Sequence, residues 1–575
     1  MRVRIYLWFL TILGSLYASD GGFRFASYYG DHMVLQKAPE RAVLWGYGPD
    51  DAEVTVFLSG GPVTNKAPAV SVAAGIWRVT LDSTEAGGPY NVTAVLQNNH
   101  SITLTDVLFG DVWLCGGQSN MAFTTSQVFN ASEELALASK FPQVRIFMAT
   151  LEQSYTELTD LAGVEVPWSV PTAELLGGGD FKHYSAVCWM FGRHLYKTLK
   201  YPIGLVTSCW GGTPVEAWSS PRALQHCDLD RIKGFPMPHT PSMYLSVWTN
   251  SVLWNAMIHP LLNMTIKGAI WYQGEANAEY NQKKYSCSFP SMIDDWRMAF
   301  HQSSAGQTAP DFPFGFVQLS TYRKASLSEG FPNIRWHQTA DYGFAPNLRM
   351  KNTFMAVAMD LGDTMSPYGS IHPRDKQDVA YRLSLGARAV AYGEEGVSFQ
   401  GPFPNQVLVN DQYINVTYDQ RVSVTQSKDI FELSTYRKAS LSEGFPNIHW
   451  HQTADYGFAP NLRMRNTFMA VAMDLGDKMS PYGSIHPRDK QDVAYRLSLG
   501  ARAVAYGEEG VSFQGPFPNR ILVSDLYINI IYAQRISVAQ SKDIFQVSLI
   551  AVLVMCTKVW CSVLPRRRVM ECCIR

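Results

Sequence analysis

The chain has almost no net charge, no long apolar run and no closely spaced set of metal ligands. Its 575 residues carry 48 Lys and Arg against 49 Asp and Glu, a formal net charge of −1. Without a basic surplus, no nucleic-acid partner is expected. The apolar runs at residues 5–13 and 547–555 are shorter than a bilayer-spanning helix requires, so no stable membrane span is expected. No cysteines or histidines have the spacing of a zinc site, and no metal or cofactor is expected.

Cysteine is present at nine positions, five of them in the body of the chain, at 115, 188, 209, 227 and 287. Five is an odd number, so at least one of these is free or pairs with the C-terminal tail. Cys115 and Cys209 lie in apolar, strand-like segments, where we expect buried free thiols. The pairing of the other cysteines does not follow from their spacing.

The N-terminus resembles a secretory signal. Arg2 and Arg4 precede the apolar run, and small residues follow it, so residues 1–18 are predicted to be a signal peptide. The chain is therefore expected to enter the secretory pathway. Candidate N-glycosylation sites agree with that route and lie at Asn91, Asn99, Asn130, Asn263 and Asn415.

Residues 20–105 are predicted to form a small β-sandwich. Short alternating segments, separated by Gly, Pro, Asn and Asp, lie at 41–47, 53–58, 75–81 and 90–96. Strands of this length and spacing are typical of sandwiches.

Residues 106–400 are predicted to form an α/β domain. Nearly continuous apolar runs, typical of buried parallel strands, lie at 107–115, 143–148, 203–208, 267–272, 314–319 and 353–359. Helical patterns lie between or after them at 185–199, 289–300 and 375–392. This alternation predicts a parallel sheet flanked by helices, with the functional site at the carboxyl ends of the strands.

An internal repeat follows. Residues 320–431 recur as residues 434–545, and the two segments differ at 12 of 112 aligned positions. Structural repeats that stack into solenoids are usually shorter and more divergent. The repeat is therefore interpreted as a recent tandem duplication of coding sequence or as an error of gene assembly. Residues 401–433 are predicted to begin a C-terminal β unit, and 546–575 form an atypical tail.

Ser119 is the candidate nucleophile. It lies just past the predicted strand at 107–115, in the sequence Cys-Gly-Gly-Gln-Ser-Asn-Met. A serine at a strand end presents its hydroxyl at the sheet edge, where backbone N–H groups of the following turn can stabilise an oxyanion. The alternative is a serine that only caps a following helix.

Two further strands end in small-residue turns, and a later loop supplies a base. The strand at 203–208 runs into Cys-Trp-Gly-Gly-Thr-Pro, and the strand at 267–272 runs into Gln-Gly-Glu-Ala-Asn. His372, in Ser-Ile-His-Pro-Arg-Asp, follows the strand at 353–359 and is the candidate proton acceptor. His259 and His337 are competing candidates.

These segments together resemble the sialate O-acetylesterase family of the SGNH hydrolase superfamily. The resemblance rests on Asp-Val-Trp-Leu-Cys-Gly-Gly-Gln-Ser-Asn-Met, Trp-Gly-Gly-Thr-Pro-Val-Glu-Ala-Trp, Trp-Tyr-Gln-Gly-Glu-Ala-Asn and Ser-Ile-His-Pro-Arg-Asp-Lys-Gln. It covers roughly residues 22–431. It implies a serine esterase, secreted or in the lysosomal lumen, that removes O-acetyl groups from sialic acids or sialoglycans through an acyl-enzyme.

Transferred residue by residue, the resemblance implies that Ser119 is the nucleophile and His372 the base. The oxyanion would be held by the backbone N–H groups of Ser119 and Gly212 and by a side-chain amide. Gln273 is the preferred amide, with Asn277 as the alternative.

The acid that orients the base is not identified by the sequence. Many SGNH enzymes have Asp three residues before the histidine, but that position is Gly369 here. The acid is therefore Asp363, Asp360 or Glu275, or is replaced by a backbone carbonyl, or is absent. The duplication also supplies a second candidate base, His486.

Two other functions remain open from sequence. The same chemistry could act on other acetylated carbohydrates, since small-acyl pockets look alike. The chain could also be an inactive glycan-binding protein or a misassembled relative, because a second copy and the tail stand where the family has a cysteine-rich β unit.

Overall fold

The computed structural model describes residues 22–418, except 61–64, 98–99, 231–246, 322–329, 364, 402–403 and 410–412. Beyond residue 418 it describes 452, 459, 461–470, 472, 481, 486–511, 513, 518–523 and 527–532. The predicted signal peptide, the sequon at Asn99 and the tail at 546–575 lie outside these residues.

The strands in this part of the chain form three sheets. In chain order they are β1 (Arg24–Phe25), β2 (Val34–Gln36), β3 (Val43–Tyr47), β4 (Glu53–Ser59), β5 (Asn65–Lys66), β6 (Val70–Ser71), β7 (Ile76–Thr80), β8 (Gly87–Leu96), β9 (Ser101–Gly117), β10 (Val144–Ala149), β11 (Val164–Ser169), β12 (Ile203–Cys209), β13 (Gly268–Tyr272), β14 (Phe314–Gln318), β15 (Thr353–Val357), β16 (Pro404–Val409), β17 (Tyr413–Tyr418), β18 (Pro518–Val523) and β19 (Tyr527–Tyr532).

The α-helices of the described residues lie mostly between the strands of the central sheet. They are α1 (Ala131–Leu135), α2 (Ala173–Leu176), α3 (Ala186–Leu199), α4 (Pro221–His226), α5 (Tyr285–Ser303), α6 (Phe331–His337), α7 (Lys376–Val390) and α8 (Lys490–Val504). None of the described helices is long and apolar enough to cross a bilayer.

The N-terminal strands are joined to the rest of the fold by β9. Strands β1, β3 and β7 form one antiparallel sheet, while β4 and β8 pair with each other and β8 pairs with β9. The first part of β9 belongs to this N-terminal region, and its second part lies in the central sheet between β12 and β13. The predicted boundary between residues 105 and 106 therefore falls inside one continuous strand.

The central sheet confirms the α/β class but is mixed rather than wholly parallel. Its order is β11-β10-β12-β9-β13-β14-β15, and all neighbours are parallel except β10 and β11. Strand β11, which the sequence analysis did not identify, has an alternating burial pattern. That alternation is typical of an antiparallel edge strand with one solvated face, whereas the prediction used continuous apolar runs.

The register of the three middle strands brings their carboxyl ends to one point. Gly117, the last residue of β9, lies opposite Cys209 of β12 on one side and Tyr272 of β13 on the other. Strands on both sides of β9 are parallel to it, and open α/β sheets place their ligand sites at the carboxyl ends of such strands. The three predicted turns therefore leave the sheet side by side.

Side-chain caps define the starts of two predicted helices. Ser185 caps α3 by accepting a hydrogen bond from the N–H of Cys188, and Asp375 caps α7 in the same way through Asp378. Helix α5 begins at Tyr285, four residues before its predicted start, and contains Pro290 in its second turn. The prediction placed the proline in the first turn, where it is usually found.

The structure corrects the interpretation of Cys115. It forms a disulfide with Cys188, which links β9 to α3, and Cys227 pairs with Cys287. Cys209 is the buried free thiol among the described residues, as expected. An apolar segment can bury a disulfide as well as a thiol, so the sequence did not separate the two cases.

The second copy of the repeat contributes α8 and two strands. Strands β16 and β17 from the first copy and β18 and β19 from the second form a four-stranded sheet in the order β16-β17-β19-β18. At its centre Asn415 of β17 lies opposite Asn529 of β19, its counterpart in the repeat.

Candidate active site

Ser119 lies in a tight turn at the end of β9. The preceding Gln118 donates its backbone N–H to the carbonyl of Tyr272 at 3.0 Å, and its side-chain oxygen accepts the N–H of Ala276 at 3.3 Å. Gly117 has φ +139°, a conformation that residues with side chains rarely adopt. Turns rather than a helix follow Ser119, so it does not act as a helix cap. Its side chain is partly exposed, and its hydroxyl is available at the sheet edge.

The structure brings Ser119 and His372 into direct contact. The Nε2 atom of His372 lies 2.8 Å from the Oγ atom of Ser119, and its Nδ1 atom lies 2.7 Å from the carbonyl oxygen of Tyr368. A carbonyl can only accept, so Nδ1 carries the proton and Nε2 is left to accept the serine proton. This is the arrangement that a general base requires.

None of the carboxylates proposed to orient the base contacts it. Asp363 binds Arg374, with 2.6 Å between Oδ2 and Nε, and Asp360 binds Arg382. Glu275 accepts a hydrogen bond from Asn120. The carbonyl of Tyr368 occupies the position that an acid would take. This is the backbone-carbonyl alternative that the sequence analysis left open, and Asp363 and Glu275 have other partners.

An apolar environment keeps the imidazole of His372 neutral. The ring centroid of Phe181 lies 4.9 Å from that of His372, and Phe123 stacks at 6.4 Å. Burial lowers the pKa of His372 below its ordinary value of 6.5, and the charge of Lys376 lowers this pKa further, against the effect of the Tyr368 carbonyl. A neutral base is the form that accepts a proton.

The structure also corrects the proposed oxyanion amides, because both are bonded inside the protein. The amide nitrogen of Gln273 donates to the carbonyl of Thr213 at 3.1 Å and to Oδ1 of Asn277 at 2.7 Å. The amide nitrogen of Asn277 donates to Glu216 at 2.8 Å and to the carbonyl of Tyr280 at 3.2 Å. Both residues are fully buried, so neither presents an N–H group to a substrate.

These two amides instead attach the loop after β12 to the end of β13. Oδ1 of Asn277 accepts the N–H of Val215 at 2.9 Å, and Glu216 also accepts from Asn281. Burial raises the pKa of Glu216, which the hydrogen bonds from the two asparagines partly offset. The network fixes the loop that carries Gly212.

Backbone N–H groups remain as the oxyanion donors. Among the hydrogen bonds of the described residues, none uses the N–H of Ser119 or of Gly212. Gly211 and Gly212 are exposed, and a Cβ atom on Gly211 would lie 3.3 Å from that of Ser119. The glycines therefore leave room for a substrate directly beside the nucleophile.

Sequence reasoning assigned no role to three contributors to the site: the Tyr368 carbonyl, Asn120 and Lys376. Asn120 and Lys376 both lie inside the motifs that carry the family resemblance, and this position was the only indication in the sequence that they belong to the site. Their contact, 2.6 Å between Lys376 Nζ and Asn120 Oδ1, depends on the fold. A carbonyl that orients a histidine leaves no trace in the residue type.

The other candidate histidines lie elsewhere. His259 contacts the carbonyl of Leu158, and the Nδ1 atom of His337 lies 2.5 Å from Oδ1 of Asp341. His486 is exposed in the second copy, whereas its counterpart His372 contacts Ser119. No group of three or more His, Cys, Asp or Glu residues in the described part of the chain could hold a metal ion.

The described sequons differ in exposure. Asn91 on β8 and Asn130 before α1 are exposed, and Asn263 is half-buried. Asn415 lies within β17, opposite Asn529, and its Oδ1 atom is buried.

The chain is similar to known esterases over most of its length. Residues 109–366 match the family model of carbohydrate esterases described as sialic acid-specific acetylesterases. Sialate O-acetylesterase of Mus musculus is 52% identical over 457 residues, which cover 74% of this chain and 84% of the relative. The Homo sapiens enzyme is 54% identical, covering 72% and 80%. A crystal structure of a carbohydrate acetylesterase from Xanthomonas citri is 30% identical with a TM-score of 0.57, covering 70% of this chain and 83% of that one.

Proposed function

The chain belongs to the sialate O-acetylesterase family, and on that premise we propose that it removes O-acetyl groups from sialic acids with Ser119 as nucleophile and His372 as base. The observation that carries the mechanism is the 2.8 Å contact between Ser119 Oγ and His372 Nε2. The neutral imidazole and the open glycine loop beside it support the same assignment.

In the first half of the reaction, Ser119 Oγ attacks the acetyl carbonyl while its proton passes to His372 Nε2. The carbonyl oxygen becomes an oxyanion that accepts hydrogen bonds from the N–H groups of Ser119 and Gly212. When the C–O bond to the sugar breaks, His372 returns the proton to the sugar oxygen. The products are a free sugar hydroxyl and an acetyl-serine.

In the second half, water replaces the sugar. His372 takes a proton from the water as its oxygen attacks the acetyl-serine, and the same two N–H groups hold the second oxyanion. The proton then passes to Ser119 Oγ as acetate leaves. The Tyr368 carbonyl keeps the imidazole in the required tautomer in both halves, which is the part an aspartate plays in a triad.

The test is acetate release from O-acetylated sialic acid by the full chain. We expect Ser119→Ala and His372→Ala each to lower kcat by about 10³-fold or more, as for other serine hydrolases. His486→Ala, the same substitution at the equivalent position of the second copy, is the matched control and should keep full activity. Full activity in Ser119→Ala would contradict the mechanism, and binding of sialoglycan without acetate release would identify a glycan-binding protein.

A second candidate substrate class is another acetylated carbohydrate. The likeness to the carbohydrate acetylesterase from Xanthomonas citri favours it. Comparing kcat/KM for O-acetylated sialic acid with that for an acetylated neutral oligosaccharide separates the two classes. We expect the sialic acid to be preferred, because the sialate O-acetylesterases are the more similar relatives.

We also propose that the enzyme is secreted or lysosomal. Two disulfides and the exposed sequons at Asn91 and Asn130 support passage through the secretory pathway. Removal of N-glycans from protein made in animal cells should lower its apparent mass, and Asn91→Gln with Asn130→Gln should reduce that shift. An unglycosylated product retained in the cytosol would contradict the proposal.

For the N-terminal strands we propose a β-sandwich that supports the nucleophile. The two antiparallel strand groups share one buried core with the central sheet, in which Trp45 and Trp77 are fully buried. Because β9 continues from this region to Gly117, we assign the region a structural role in holding the Ser119 turn.

A further inference from the structure

Lys376, the first residue of α7, is fully buried next to the catalytic pair. Its Nζ atom donates to Oδ1 of Asn120 at 2.6 Å and lies 4.7 Å and 5.0 Å from the ring centroids of Phe123 and Tyr272. A lysine is almost never fully buried unless it is paired, because removing the ammonium from water is costly. This position therefore requires an explanation beyond packing.

Asn120 connects Lys376 to both catalytic residues. It directly follows Ser119 in the chain, and its amide nitrogen donates to the carbonyl of Ile371 at 2.8 Å, directly before His372. The same nitrogen donates to Oε1 of Glu275 at 2.5 Å. One side chain therefore joins the nucleophile turn to the base loop, and its oxygen and nitrogen are held by Lys376 and Glu275.

Several charged groups surround the amine of Lys376. Burial lowers the pKa of Lys376 to about 7, while Glu275, Asp375 and Asp363 act in the opposite direction. Burial also disfavours the charged form of Glu275, and for a carboxyl group this raises the pKa. The charge of Lys376 in turn lowers the pKa of His372. Lys376 therefore acts on His372 in two ways, through the electrostatic effect of its charge and through the hydrogen bonds of Asn120.

We propose that Asn120 and Lys376 are positioning residues that hold the Ser119 turn and the His372 loop at the distance needed for proton transfer. The proposal rests on the Ser119–His372 mechanism given above. Neither residue touches the reacting atoms. Asn120 sets the distance between the two loops, and Lys376 fixes the orientation of its amide.

The test is a double-mutant cycle with Lys376→Met and Asn120→Ala in the full chain, using acetate release. Methionine keeps the length and apolar stem of lysine but cannot donate to Asn120. We expect Lys376→Met to lower kcat at least tenfold with little change in KM. We expect the double variant to be no slower than Asn120→Ala alone, since residues acting as a unit are not additive.

The pH profile supplies a readout that a purely structural role would not change. Without the nearby cation, His372 is protonated more easily, so the acid limb of kcat/KM should move to higher pH in Lys376→Met. Thermal unfolding should show a lower Tm in Lys376→Met, because methionine leaves Asn120 Oδ1 without its donor and the buried Glu275 without its nearby cation. Activity is therefore compared at a temperature at which every variant is fully folded. Lys490→Met is the matched control, since Lys490 occupies the same sequence on the exposed start of α8.

The outcomes separate this inference from the proposed function. If Ser119→Ala is inactive while Lys376→Met keeps the wild-type kcat and acid limb, only the positioning role is overturned. Losses that are additive in the double variant, measured where every variant is fully folded, also overturn it. If Ser119→Ala is active, the mechanism and the positioning role fail together.

Discussion

At the scale of single residues, uncharged carbonyl and amide groups hold the Ser119–His372 pair and the neighbouring glycine loop in place. His372 is oriented by the Tyr368 carbonyl, and the loop with Gly212 is held by the amides of Gln273 and Asn277. A backbone carbonyl fixes the tautomer but offers the imidazolium no full negative charge. The base therefore has no partner that would raise its pKa as strongly as a carboxylate does.

The first residue-scale prediction concerns pH. Because burial lowers the pKa of His372, the acid limb of kcat/KM should have its midpoint below 6.5, with activity present above that midpoint and lost as pH falls through it. A pH–rate profile with O-acetylated sialic acid measures it. An acid midpoint above 6.5 would contradict the assigned environment, and His486→Ala should leave the profile unchanged.

The second residue-scale prediction concerns Asn277. Replacing it by alanine leaves the N–H of Val215 without its acceptor, and it removes one of two hydrogen bonds from the amide of Gln273 and from the carboxyl of Glu216. Buried groups left unpaired cost about 1–3 kcal/mol each before relaxation, so we expect stability to fall by roughly 2–4 kcal/mol. Denaturant unfolding of protein freed of N-glycans measures this loss, with the exposed Asn91→Ala as control. Unchanged stability with a large loss of kcat would instead return Asn277 to the oxyanion site.

At the scale of elements, the repeat places one 15-residue helix sequence in two environments. In α7, on the central sheet, Val379, Ala380 and Leu383 are buried. In α8, whose sequence is identical, only Gly500 is buried. Residues 353–356, which lie in β15 beside β14, have counterparts at 467–470 that lie outside any strand.

This difference gives a prediction with an internal control. Leu383 is fully buried in α7, and its counterpart Leu497 in α8 is 42% exposed. Leu383→Ala should lower the free energy of unfolding of the esterase core by about 2–5 kcal/mol, whereas Leu497→Ala should change it by less than about 0.5 kcal/mol. Denaturant unfolding, followed by loss of acetate release, measures both. Equal effects would mean that both helices are packed in the core.

At the scale of the whole molecule, the second copy contributes nothing to the described contacts of the site. All contacts of Ser119 and His372 reported above lie within residues 117–376. The second copy instead pairs β19 with β17, in a register that places Asn529 opposite Asn415. This sheet joins two copies of one hairpin about a local two-fold axis.

Deleting residues 434–545 should therefore leave kcat/KM within about twofold of the full chain. It should also expose the edge of β17, which pairs in register with its own counterpart and is able to pair with β17 of a second molecule. We expect a dimer in light scattering. A monomer, or loss of activity with an unchanged Tm, would contradict this account, and Asn415→Pro in the shortened chain should abolish the dimer.

Much of the fold and part of the site could be predicted from the sequence. The runs at 107–115, 203–208 and 267–272 identified β9, β12 and β13 because parallel strands buried on both faces are continuously apolar. The motifs identified Ser119 and His372, which the structure places in contact. Strand β11 was missed because its alternating, half-exposed pattern is a weaker signal than a continuous apolar run. The start of α5 was placed four residues too late, because the structure has Pro290 in the second turn of the helix and the prediction had it in the first.

The sequence by itself determined the class of the fold, the family and the candidate catalytic side chains, since these depend on local apolar patterns and on residue types in ordered motifs. Only the tertiary structure decided what surrounds them. Among the open alternatives for orienting the base, it placed the Tyr368 carbonyl beside His372. It also bonded the amides of Gln273 and Asn277 inside the protein and brought Lys376 to Asn120. The same reason explains why His372 rather than His486 contacts Ser119. The two loops have the same local sequence, and only the first is packed against the central sheet.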